Sequence, residues 1–151
     1  MKKGQVTVEF LLLLLVMLLY VQTIIQPNIQ ITAAAAQDVS NVGRGVAELQ
    51  KFYNAVLDVS NSGGDAKRTA TLFIPPETTF TCSDSSAKVE ILLSDTLSSY
   101  PVSSLSCNSG TNACTKEISL TSLGVICSES ITGPVAKSLK IEKTGNTVNV
   151  S

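Results

Sequence analysis

The chain has 151 residues, a formal net charge of −1, 15% charged and 44% hydrophobic residues, and no histidine. That length suits one modest domain plus an appendage, and the near-neutral charge without Lys/Arg clusters excludes the electrostatic footprint of a nucleic-acid binder. The absence of histidine removes the commonest general base and metal ligand.

The first element is an apolar run from Phe10 to Val21, preceded by Lys2 and Lys3. Extended from Val6 to Ile25 it makes a helix of about 30 Å, the thickness of a bilayer core. Positive charge ahead of it predicts a cytoplasmic N-terminus, so the remainder is expected outside the cell. An ordinary signal peptide cut near Ala33–Ala36 and a simple membrane anchor share these features. Glu9 fits both poorly, because a carboxylate in an apolar segment costs free energy, up to about 3 kcal/mol at the bilayer centre.

The opening Lys2-Lys3-Gly4-Gln5-Val6-Thr7-Val8-Glu9-Phe10-Leu11-Leu12 resembles the class III signal peptide of archaeal type IV pilins. The resemblance covers roughly the first 25 residues. It implies that a prepilin peptidase cuts between Gly4 and Gln5, that residues 1–4 are removed, and that the apolar helix is retained. Gln5 would become the first mature residue and Glu9 the fifth. It further implies a membrane-held precursor that the pilus assembly machinery draws into a helical homo-oligomeric filament, alone or alongside other pilins, at the cell surface. An α-amine titrates near about 7.7–8.0, so cleavage creates a cation at Gln5. Assembly would pair it with Glu9 of a neighbouring subunit, since an unpaired charge in an apolar bundle is strongly disfavoured.

Gln26-Pro27-Asn28 interrupts the apolar run, and a kink is expected there because proline removes a helix donor. Beyond Ala33–Ala36, Val39, Val42, Val46, Leu49, Tyr53 and Val56 recur at alternating spacings of three and four, widened by Phe52 and Leu57; this is one helical stripe. Packing against the chain's own β domain explains that stripe. Gly43-Arg44-Gly45 lacks the preceding strand and third glycine of a dinucleotide loop, and is read as permitting close packing or bending. Asn61-Ser62-Gly63-Gly64-Asp65 ends the helix.

Short strands are expected at Ala70–Ile74, Thr78–Cys82, Lys88–Leu93, Lys116–Leu120 and Val125–Cys127. A terminal hairpin is expected around the Gly145-Asn146 turn, with Leu139 and Ile141 facing Val148 and Val150. The fold class is therefore α+β: a long N-terminal helix kinked near Pro27, over 5–60, a linker over 61–69, and a small antiparallel β-sandwich-like head over 70–151.

Cys82, Cys107, Cys114 and Cys127 lie on the presumed outer side, where an even number reads as two disulfides. Of the three pairings, Cys107–Cys114 closing a small loop and Cys82–Cys127 joining distant strands are expected. Zinc ligation needs closer pairs; no metal or other cofactor is indicated. Asn149-Val150-Ser151 matches an N-glycosylation acceptor. No catalytic constellation appears, so the function expected is structural: a major or minor subunit of an adhesion pilus. A cell-surface binding module that never polymerises, and a soluble β protein beginning near Gln37, are the alternatives.

Overall fold

The computed structural model describes residues 3–94, 105–108 and 110–151, with side chains from Thr7 onward. Helix α1 runs Lys3–Tyr20, a π-helical turn spans Val21–Ile25, and α2 runs Gln26–Ser60. Among the described residues nine strands follow: β1 Lys67–Ile74, β2 Thr78–Cys82, β3 Ser86–Leu92, β4 Ser106–Asn108, β5 Ala113–Ser119, β6 Val125–Ile126, β7 Glu129–Thr132, β8 Val135–Thr144 and β9 Thr147–Val150. They form a four-stranded sheet ordered β1-β8-β9-β6 and a five-stranded sheet ordered β4-β5-β3-β2-β7. The protein is an α+β fold, one long N-terminal helix followed by a two-sheet β-rich domain.

Contacts divide the chain into two compact units, one up to Ala36 and one from Gln37 to Ser151. The dividing point therefore falls within α2, so that residues 37–60 of the helix belong to the head. Nine α2 residues are buried: Asp38, Asn41, Val42, Gly45, Leu49, Phe52, Ala55, Val56 and Val59. The stripe is turned slightly from the expected one. Val39 is 61% exposed, and Val46 and Tyr53 are only half-buried. Phe52 takes the centre, its ring edge-on to Phe80 of β2 at 5.2 Å. Gly45 lets the helix approach β2 and β3: a Cβ there would lie 3.1 Å from Val89 Cγ1 and 3.3 Å from Ile91 Cδ1. Gly43 faces open space.

Each sheet buries one face, as the alternation of its strands requires. Ala70, Leu72 and Ile74 of β1, Leu139 and Ile141 of β8, and Val148 and Val150 of β9 supply the four-stranded sheet's share of the core. Phe80, Ala87, Val89, Ile91 and Ile131 supply the other's. The terminal hairpin pairs Ile141 with Val150 and Thr144 with Thr147. One pair departs from the antiparallel expectation: β6 runs parallel to β9, Val125 opposite Val148. β4 and β7, which composition did not mark, are three and four residues long.

Side chains fasten α2 to the sheets. Lys51 donates to the Thr71 carbonyl of β1, pairs with Glu48 and lies 5.5 Å from the centre of the Phe73 ring. Arg68 of β1 pairs with Asp58. Lys143 Nζ donates to the Ser60 and Ser62 carbonyls, each at 2.7 Å, so a cation satisfies acceptors at the helix C-terminus. Asp38, 5% exposed, accepts from Ser94 N–H at 2.9 Å and Ser94 Oγ–H at 2.5 Å.

On the outer face of β8, Glu142 sits opposite Lys67 and two residues from Lys140. Hydrogen bonds from Lys140 and then Lys67 hold its carboxyl below the ordinary glutamate range. A depressed carboxyl contributes stability above its unfolded-state value and loses it as pH falls through the folded value. In urea titrations, Glu142→Gln should thus be less stable than the parent at neutral pH, and the gap should close on acidification past that range. The glycines give a second test. Gly43→Ala should stabilise the head by about 0.5–1 kcal/mol, whereas Gly45→Leu should destabilise it by about 1–3 kcal/mol through overpacking; thermal melts of the two variants should shift in opposite directions.

Candidate functional site

The N-terminal unit differs in kind from the head. From Thr7 to Ala33 every side chain is exposed, including Phe10, Leu11, Leu12, Leu13, Met17 and Leu18 at 54–65%. A helix apolar all round, as it is from Phe10 to Val21, suits burial on every side, in lipid or in a bundle. By length and composition it can cross a membrane. Glu9 is the only charged residue between Lys3 and Asp38. It sits exposed on α1, beside a shallow concavity shared with Leu12, Leu13 and Val16.

The backbones of Gly4 and Gln5 lie in α1; the Gln5 side chain lies outside the described residues, as does Lys2. Both positions are thus helical, and Glu9 stands one turn beyond Gln5.

The helix does not end at Pro27. The regular ladder gives way at Val21–Ile25, where the Gln26 N–H donates to the Val21 carbonyl, five residues back, as in a π-helical turn. Proline supplies no N–H to the residue four before it, and the widened turn just ahead of it absorbs the irregularity. Polar side chains nearby fold back onto the helix. Thr23 Oγ1 donates to the Leu19 carbonyl at 2.7 Å, Asn28 Nδ2 to the Ile24 carbonyl at 2.7 Å, and Thr32 Oγ1 to the Asn28 carbonyl at 2.9 Å. These bonds satisfy polar groups locally, which is what an apolar surrounding demands.

In the head the cysteines are brought together in two pairs. Cys82 of β2 is bonded to Cys127 just beyond β6, with Cα atoms 5.7 Å apart. This bond ties the five-stranded sheet to the four-stranded one, and the Cys127 N–H also donates to Asp84 Oδ1 at 2.9 Å. Cys107 and Cys114 face each other across β4 and β5. Asn149 is exposed on β9. Gly43-Arg44-Gly45 lies inside α2. Lys116 sits in β5, an inner strand, opposite Val89. Among the described residues no cluster of three or more His, Cys, Asp or Glu could hold a metal ion.

Sequence reasoning passed over one surface feature. Arg44 of α2 borders a shallow apolar groove with Phe73, Pro75, Pro134 and Val135. Phe73 is 59% and Val135 42% exposed. The signal was present in Phe73 and the Pro75-Pro76 pair, but a strand-end aromatic gives no hint from sequence that it faces outward.

No protein-family model, no curated protein and no solved structure matches this chain.

The two disulfides should differ in weight. Closing a longer loop removes more unfolded-chain entropy, and Cys82–Cys127 spans 45 residues against 7 for Cys107–Cys114. Replacing both Cys82 and Cys127 by serine should cost about 2–4 kcal/mol, and more than the equivalent Cys107/Cys114 double change. Urea unfolding of the full chain in detergent, followed by head-domain signal, measures the order.

Proposed function

We propose that this chain is a structural subunit of an archaeal type IV-like adhesion pilus. It is made as a membrane-held precursor with its N-terminus in the cytoplasm, and it polymerises through its hydrophobic N-terminal helix. The observation that carries this reading is the helix surface from Thr7 to Ala33: exposed throughout, unbroken in its apolar residues from Phe10 to Val21, and bearing the single carboxylate of Glu9. A lipid bilayer covers such a surface equally on all sides, and so does a bundle of identical helices. Exchanging one for the other needs little change in apolar solvation.

The lone carboxylate distinguishes a bundle from a plain anchor. An anchor gains nothing from Glu9, whereas a bundle gains register if Glu9 meets a cation supplied by a neighbour. Cleavage after Gly4 by a prepilin peptidase supplies one, the Gln5 α-amine. The disulfide-bonded, Ser/Thr-rich head fits an oxidising exterior, where it would form the fibre's outer surface and carry adhesion. Exposed Asn149 would be open to glycosylation there.

Two measurements test the proposal. Mass spectrometry of the mature chain should find Gln5, or its cyclised form, at the N-terminus; Met1 would indicate an anchored module that does not polymerise, and a start near Gln37 a soluble product. Electron microscopy of sheared surface material should show fibres. Glu9→Gln should be processed normally yet yield fibres about tenfold or more below the parent, because losing one partner of a buried pair costs about 3–5 kcal/mol. Undiminished fibres from that variant would remove Glu9 from assembly.

A further inference from the structure

We infer that the groove bordered by Arg44 and Phe73 on one copy receives the apolar helix of a second copy, with the incoming Glu9 set opposite Arg44. The inference rests on the filament reading above and names the contact that the reading leaves open.

Two observations converge on it. First, Arg44 is exposed and has no acidic partner among the described residues. Lys51, Lys67, Arg68, Lys88, Lys137 and Lys140 are each within ion-pair distance of a carboxylate, and Lys143 is committed to the end of α2. Lys116 also lacks an ion pair, but it lies half-buried on an inner strand. Of these two cations, Arg44 is the one that lines the apolar groove, beside Phe73, Pro75, Pro134 and Val135.

Second, Glu9 presents the complementary arrangement. It is a carboxylate without an ion pair among the described residues, flanked by Leu12, Leu13 and Val16. An apolar groove with a cation at its rim and an apolar helix with a single anion match in both respects.

Chemistry at the mature N-terminus adds a reason for Arg44 to matter. N-terminal glutamine cyclises to a lactam with loss of ammonia, which removes the α-amine's charge. Glu9 then needs a cation from elsewhere, and a guanidinium stays charged at any physiological pH. With the amine intact, both can serve, since an ionised carboxylate accepts through two oxygens.

The test uses the full-length chain in its assembling host, with a photoreactive benzophenone amino acid in place of Phe73. Irradiated fibres should yield an intermolecular adduct whose partner peptide maps to residues 7–20. In parallel, Arg44→Gln should lower fibre yield about tenfold while leaving the head's protease resistance and both disulfides intact, and Arg44→Lys should restore most of the yield, as a charge-dependent contact requires. Fibres with no adduct, or with adducts only on the partner's head, overturn the inference, as does an Arg44→Gln variant with parental fibre yield. Each of those results leaves the filament reading standing. Absence of fibres from the unmodified chain removes the filament reading and this contact together.

Discussion

The second half of α2 is shared property. Its residues 37–60 form part of the head, because the stripe from Val42 to Val59 has two sheets to cover it. Phe52 against Phe80 and Gly45 against Val89 and Ile91 set how closely the helix lies on β2 and β3, while Lys51, Asp58 and Lys143 tie it to β1 and β8. The side chains from Thr7 to Ala33 are exposed. One helical run therefore meets two different solvation problems: the head solves one internally, and the other is left to whatever surrounds Thr7–Ala33.

How much of this was written in the sequence depends on what kind of signal each residue carries. The strands at Thr78–Cys82 and the terminal hairpin were legible because alternation and a Gly145-Asn146 turn mark them directly. The helix stripe was legible in period but not in phase. Counting only apolar residues selects Val39, Val46 and Tyr53, yet the buried set takes Asp38 and Gly45 at the neighbouring positions and centres on Phe52, which the count had placed at the stripe's margin. Asp38 and Gly45 are not apolar. They face inward because Ser94 satisfies the carboxylate and because β2 and β3 come too close for a side chain. Both reasons are tertiary, so no local pattern announces them. The same holds for β4 and β7, which are too short to show a period and exist because longer strands offer them a ladder.

The candidate site divides along a similar line. Glu9 stands out in the sequence as a lone charge in an apolar run, and its context in the structure is the same. Arg44 does not stand out at all: it sits between two glycines on a helix, and only the placement of Phe73, Pro75 and Val135 beside it makes it a cation on an apolar rim. Back-bonding by Thr23, Asn28 and Thr32 was equally hidden, although it satisfies two hydroxyls and one amide on the helix's own carbonyls.

Lys51 bears on the behaviour of these molecules when crowded. β1 is a border strand, with β8 on one side only, and borders of that sort invite sheet-to-sheet zippering between molecules. By donating to the Thr71 carbonyl, Lys51 occupies an acceptor that a foreign strand would otherwise use, and it places a charge in that strand's path. Heads brought to very high local density would thus be kept from fusing into cross-β aggregates. Association would be left to side-chain matching, which can be reversible and can be ordered.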